Sequence, residues 1–464
     1  MILINAKIFS KGLVRIGAIL IDNGIINTIK FNPREKDIKK LIEKNNDRKE
    51  INCQNKLILP GIIDIHSHLR DMSQVEKETF STGTKAAAFS GITTVFNMPN
   101  TKPPAITAEQ VKKWMKKAQD SIFINVGFIA AVPQGIDEGE IKKIIDLGVL
   151  GFKIYPLKSL NRINWTKGSN IQKILNISSK YNIPIFIHPD SPILEKKRIE
   201  IYQNWLLTKY SQLELHNKLF PYEMEIYYIR LIIHNYLNHI ETNKLSPENY
   251  PIIHFCHISS KNSFDLIENN LTKRKNLRIT YEVTPHHLLL SKTVNLKNDN
   301  FGKVLPPLRD EYHSKYLFNK LKEGIIEFVA TDHAPHTIKE KSGEFVTVPS
   351  GFPGFETYPL VLLDKVCRYE LSLENFVRVA SENPAKKFNL KNKGFIKEGY
   401  DADLFIIEKV PEYSIKSQKF KTKAKFSPFE NYNTSIQIWK VLLKGIEINS
   451  LNSIPSGQII KREI

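Results

Sequence analysis

From the N-terminus, apolar and polar residues first alternate, ILINAKIF over 2–9 and then VRIGAILIDNGIINTI over 14–29, the period-two pattern of half-buried strands. Asp22-Asn23-Gly24, set between two apolar stretches, predicts a hairpin turn. The charged stretch from Asn32 to Glu50 predicts a surface loop or a helix lying outside this sheet. From Leu57 the pattern changes. Short continuous apolar runs, each followed by residues of helical periodicity, replace the alternation, which is how parallel strands covered on both faces read. The runs are LILPGIIDIH, ITTVFNM, IFINVGFI, GFKIYP, IPIFIH, PIIHFCH, LRITYEVTP and IIEFVATDH. That number fits a closed (β/α)8 barrel, whose active site lies on the loops at the C-terminal strand ends. Strand character returns over 402–408 and 436–448. We therefore expect an α/β chain with a (β/α)8 TIM-type barrel over 56–392 and a small β-sandwich domain built jointly from 1–55 and 393–464. The Tyr- and Leu-rich stretch 189–250 is expected to form helices in the loop after the fifth strand.

Six residues at the ends of these runs carry candidate chemistry. His66 and His68, two apart on a strand, point to one side, and such a pair fits metal ligation as well as chance. Arg70 continues the same parity and would set a guanidinium beside them, where it could grip a carboxylate; a rim salt bridge is the plainer reading. Lys153 ends the run LGFKIYP. A lysine there either snorkels to solvent or, buried, loses its charge and reacts with carbon dioxide to a carbamate that can bridge two cations. His188 and His257 each end a run, where a lone histidine is more often a core residue, and Asp332 closes the eighth. Four imidazoles, a carboxylate and a carbamate together suit zinc and its neighbours. Strand parity puts His254 and Cys256 opposite His257, as groups that pack or that support the ligands from behind, and argues against a further metal on Cys256 and Glu282. His336 is placed to meet substrate. His234 and His239 are expected on the surface of the helical insertion.

Composition narrows the class. The chain has 464 residues, 41% hydrophobic and 25% charged, values of an ordinary globular protein rather than a disordered or fibrous one. Three scattered cysteines rule out a disulfide scaffold. The opening MILINAKIFSKG has no signal-peptide core, and no apolar run reaches the roughly 20 residues of a membrane helix, so a cytoplasmic protein without a membrane partner is expected. The formal net charge of +19 is spread along the chain with no Arg-rich helix or aromatic RNA-reading motif, which argues against nucleic acid. A basic field of this size would instead speed the encounter with a small anionic substrate.

Taken in order, HSHLR (66–70), NMPNTKPP (97–104), FKIYP (152–156), IHP (187–189), CHISS (256–260), EVTPHHL (282–288) and TDHAPHT (331–337) resemble the amidohydrolase superfamily, and within it the dihydroorotases, with the archaeal and animal-type class nearest. The resemblance implies two zinc ions, His66, His68 and Asp332 holding one, His188 and His257 the other, and N6-carboxylated Lys153 bridging them. It implies that Arg70, Asn100 and His336 bind substrate. It also implies an activity, the reversible cyclisation of N-carbamoyl-L-aspartate to L-dihydroorotate in pyrimidine (UMP) biosynthesis, through a metal-bridging hydroxide with Asp332 as general acid and base. A homodimer and an association with aspartate carbamoyltransferase are compatible with it. One position departs: Leu305 stands where many members carry an Asn or Arg that donates to substrate. The rival readings are another cyclic amidohydrolase, of hydantoinase or allantoinase type, and a catalytically inactive scaffold.

Overall fold

The structure, a computed structural model, describes residues 1–192, 200–201, 211–450 and 452–462. The alternating N-terminal residues form strands Ile2–Ser10, Leu13–Asp22 and Ile25–Phe31, antiparallel in sequence order. Asn23 and Gly24 between the last two have φ of 48° and 80°, the pair of left-handed positions that a two-residue hairpin turn requires. The charged stretch resolves in favour of a helix, Glu35–Glu43, which lays Ile38, Leu41 and Ile42 on Ile2, Ile4 and Leu20. The C-terminal strands Leu404–Ser414 and Asn433–Leu443 join the same mainly antiparallel sheet. The link is Leu57–Pro60, which pairs with Lys7 and Ile8 on one side and with Leu404–Ile407 on the other.

The first apolar run thus divides. Leu57–Pro60 belongs to this sheet and Ile62 begins the barrel, with Gly61 between them. A Cβ on Gly61 would stand 2.2 Å from Thr93 Oγ1, so the crossing is open only to glycine. The barrel strands are Ile62–Ser67, Ile92–Asn97, Asn125–Ala131, Gly151–Ile154, Pro184–Ile187, Ile252–Phe255, Ile279–Val283 and Phe328–Val329, each parallel to the next. The eighth strand is short, and the seam to the first is closed by other means. Ser67 bridges to His333, and the His68 amide donates to His333 O at 2.8 Å. Asp64, buried on the first strand, accepts from the Thr331 amide at 2.9 Å and from its hydroxyl at 2.5 Å.

After the fifth strand come helices Gln212–Leu219 and Tyr222–Thr242; residues 193–199 and 202–210 of the predicted insertion lie outside the described residues. His234 is exposed as expected, but His239 is buried, its Nδ1 3.0 Å from Gln172 Oε1. The reason is that the longer helix packs along helix Gly168–Tyr181. The C-terminal segment does more than complete the sheet. Between its two long strands, residues 415–432 cross the loops at the C-terminal end of the barrel, where Lys423 donates to Val75 O, Thr422 to Glu78, and Phe426 shares a cluster with Val304, Leu308 and Phe352. The tail then returns to pair Ile459 and Ile460 with Val126 and Gly127 of the third barrel strand. Among the described residues no helix is long and apolar enough to cross a membrane.

Candidate metal centre

All six predicted ligands converge at the C-terminal mouth of the barrel. His66 and His68 project from the end of the first strand with ring centroids 5.4 Å apart, His66 and His257 are at 5.3 Å, and His188 and His257 at 4.5 Å. Asp332 Oδ1 lies 3.0 Å from His68 Nε2 and 3.4 Å from His66 Nε2. Lys153, buried at the end of the fourth strand, places Nζ 2.7 Å from Cys256 Sγ. His188 is half-buried on the open side. Ligand atoms of His66, His68 and Asp332 all lie within 4.8 Å of one another. His257 Nδ1 is buried with no hydrogen-bond partner among the described residues, an arrangement that costs about 1–3 kcal/mol unless something else engages the nitrogen. Burial first, then the facing Lys153, His66 and His68 charges, hold His188 at about 3, and burial holds His68 at about 4, so both imidazoles are neutral as metal ligation requires. Nitrogen and oxygen donors of this kind fit zinc or a neighbouring divalent ion.

Two parity arguments need correction. The sixth strand stops at Phe255 and His257 takes a φ of 37°, so alternation does not continue through the turn. Cys256 and His257 therefore both reach the mouth: Cys256 does pack, in a core cluster with Phe186 and Phe328, but on the side of Lys153 rather than the far face. It gathers with His66 and Glu282, their ligand atoms likewise within 4.8 Å of one another. In the same way the first strand stops at Ser67, and Arg70, Asp71 and Met72 follow with φ of 55°, 59° and 53°. This left-handed turn, rather than strand alternation, directs Arg70, whose Nε donates to Pro335 O at 3.3 Å and whose Nη2 lies 3.3 Å from His336 Nε2. Asn100 places Oδ1 2.5 Å from His68 Nδ1, so it orients a predicted ligand from the rear. Leu305 lies in a small recess with Asp190 and Arg309.

Glu282 and Asp64 have larger roles than the pattern disclosed. Glu282, fully buried, accepts from His66 Nδ1, from His254 Nε2 at 3.0 Å and from the His257 amide at 3.2 Å. Burial alone would raise its carboxyl, but His66 and His254 outweigh that and bring it down to about 2. An anion fixed behind His66 aims Nε2 at the centre, the usual outer support of a metal-binding imidazole. Its signal was a charged residue inside the strand-like run YEVTP; Asp64 gave the same signal in GIIDIH.

Comparison with known proteins identifies the family. The pattern of the Amidohydrolase family matches residues 57–446. The dihydroorotase of Methanosphaera stadtmanae is 34% identical over 413 residues, 89% of this chain and 90% of that protein. The dihydroorotase of Pyrococcus abyssi is 32% identical, covering 98% of each chain. Among solved structures, the L-hydantoinase of Arthrobacter aurescens superposes with a TM-score of 0.87 at 22% identity over 99% of both chains, and the D-hydantoinase of a Thermus species with 0.84 at 23%; at that identity they speak for the fold. The chain therefore belongs to the amidohydrolase family and stands within it among the dihydroorotases.

Proposed function

We propose that the protein is a metal-dependent dihydroorotase, interconverting N-carbamoyl-L-aspartate and L-dihydroorotate. The observation that carries this reading is the placement of Arg70 beside His336, 3.3 Å apart, at the rim of the ligand cluster: a guanidinium able to grip a carboxylate next to a centre suited to hydrolysing an amide. The relatives named above support the same substrate.

His66, His68 and Asp332 would hold one divalent ion and His188 and His257 a second, with Lys153, as a carbamate, between them. Two such ions supply Lewis acidity and lower the pKa of water. The chain's own residues do the rest. Arg70 takes the substrate carboxylate through its planar fork, with His336 in contact alongside, so that the scissile ring amide is fixed by positioning rather than by new chemistry. Asp332 is poised for proton transfer. Burial would raise its carboxyl, but His66 and His68 outweigh that and hold it well below the usual carboxylate range, so it begins as the anion. In the ring-opening direction it receives the proton released by the nucleophile and delivers it to the leaving ring nitrogen.

A second reading, a cyclic amidohydrolase of hydantoinase type, is favoured by the solved structures of that name. Arg70 separates the two, because a hydantoin has no carboxylate to occupy it. The test is turnover of N-carbamoyl-L-aspartate and L-dihydroorotate by the full chain with zinc and bicarbonate, beside hydantoin, allantoin and dihydrouracil, with metal counted per chain. We expect turnover of the first pair with about two metals bound. Turnover of a neutral cyclic amide instead would select the second reading, and absence of metal would discard both.

A further inference from the structure

The turn that carries His257 is held in part by two buried charges that the mechanism above does not use. Each backbone amide of 256–259 has a partner. Cys256 donates to Ile187 O at 2.9 Å, His257 to Glu282 Oε1 at 3.2 Å and Ile258 to Glu282 O at 2.8 Å, which ties the first three to the neighbouring barrel strands. The fourth leaves the barrel. The Ser259 amide donates to Glu225 Oε1 at 3.2 Å, and the Ser259 hydroxyl donates to Glu225 Oε2; Glu225 belongs to helix Tyr222–Thr242 of the insertion. Arg309, in the loop after the seventh strand, completes the group. Its Nε donates to Ser259 Oγ at 2.9 Å, its Nη1 to Asn217 Oδ1 at 2.9 Å and to Phe220 O at 2.5 Å, and its Nη2 lies 3.7 Å from Glu225 Oε2. Both charged side chains are buried.

Donors and acceptors match at every one of these contacts. The Ser259 hydroxyl gives its single hydrogen to the carboxylate and receives the guanidinium hydrogen on a lone pair, while Glu225 only accepts and Arg309 only donates. His257 needs such support, because its φ of 37° is a conformation that a non-glycine residue keeps only where its surroundings over-determine it. For stability alone a buried ion pair is a poor device, since apolar residues of similar volume often do as well or better. Apolar residues could not, however, accept from the Ser259 amide. Without Glu225 that amide and the Ser259 hydroxyl would both lose their acceptor, and the turn would be held from the barrel side only.

We propose that Glu225, held by Arg309, is a positioning residue for the metal centre: by fixing Ser259 it fixes the left-handed turn two residues earlier, and with it the aim of the His257 imidazole at the ion shared with His188. This rests on the two-metal reading above. A staple that merely fastens the insertion to the barrel would matter to stability and leave metal affinity untouched, and the experiment separates these.

The full chain and its variants are loaded with zinc and bicarbonate, and zinc per chain is counted while a chelating indicator of known affinity competes for it, beside the melting temperature. We expect wild type to hold about two ions. Glu225→Leu/Arg309→Met removes both charges together and should melt near wild type, yet bind one of its two ions about tenfold more weakly, the lower end of what a support behind a metal ligand is worth. Glu225→Asp keeps the charge beside Arg309 but ends one methylene short of Ser259; it makes the same test should the double variant not fold, and should lose affinity likewise. Glu225→Gln, whose carbonyl still accepts from the Ser259 amide, should keep most of it. Zinc affinity equal to wild type in the double variant or in Glu225→Asp would overturn the proposal. So would a loss as large in Glu225→Gln as in Glu225→Asp, or a lowered melting temperature with zinc binding intact. Fewer than two ions on wild type would sink the two-metal reading and this proposal with it, whereas two ions held equally by wild type and variants would sink the proposal alone.

Discussion

Lys153 ends its strand with a buried amine 2.7 Å from Cys256 Sγ and faces His66, His188 and His257 across the mouth. A cationic group in that place opposes metal binding, and an anionic carbamate in the same place would favour it. Lys153→Ala should therefore lower metal content below two ions per chain and cut kcat by orders of magnitude, read by elemental analysis beside the activity assay. Two ions and full turnover in that variant would show that the bridge is something else. Asp332→Asn tests proton transfer separately: KM should hold while kcat falls by about 10²–10⁴. The six candidate ligands stood out because each is a polar residue ending an apolar run, and the structure brings all six to one mouth. Glu282 was seen only as a ligand for a further ion, because its support of His66 depends on a contact spanning 216 residues.

The crossing segment 415–432 anchors the loops at the C-terminal end of the barrel, and one of its ties should depend on pH. Glu356 accepts from the Lys421 amide at 2.6 Å through one oxygen and from the Thr422 amide at 3.1 Å through the other. Burial, which those two amides only partly offset, pushes its carboxyl up to about 7. The folded state thus binds a proton more readily than the unfolded chain, where Glu titrates near 4.5, and the contribution to stability declines as pH rises through that interval and levels off above it. Against Glu356→Gln, which does not titrate, the melting temperature of wild type should fall between about pH 5 and about pH 8; a difference that stays flat or rises across that range would show the carboxyl to be unshifted. The strands themselves were readable, as was the hairpin at Asn23-Gly24, since period and turn chemistry are local. The crossing was not. Its residues KFKTKAKFSPFE look like an ordinary polar connection, and nothing in their pattern says which loops they will meet.

For the molecule as a whole, a charge of +19 should act on encounter more than on chemistry. Raising salt from about 0.05 M to about 0.5 M, which shortens the screening length severalfold, should lower kcat/KM more for dianionic N-carbamoyl-L-aspartate than for monoanionic L-dihydroorotate, and equal salt slopes for the two would show that the field plays no part. The scale of the whole chain also divides what was legible. Eight apolar runs, the flanking strands and the set of candidate ligands followed from the sequence by itself, because hydrophobic period reports which face of an element is buried and side-chain type reports what it can bind. The tertiary structure alone decided which ends meet. Arg70 stands beside His336 across 266 residues and Asp64 ties the seam to Thr331 across 267, both consequences of closing the barrel. His257 reaches the mouth beside Cys256, which faces Lys153, because His257 itself turns left-handed. Alternation assumes that a strand continues; a single backbone rotation ends it, and only the surrounding packing selects where that rotation falls.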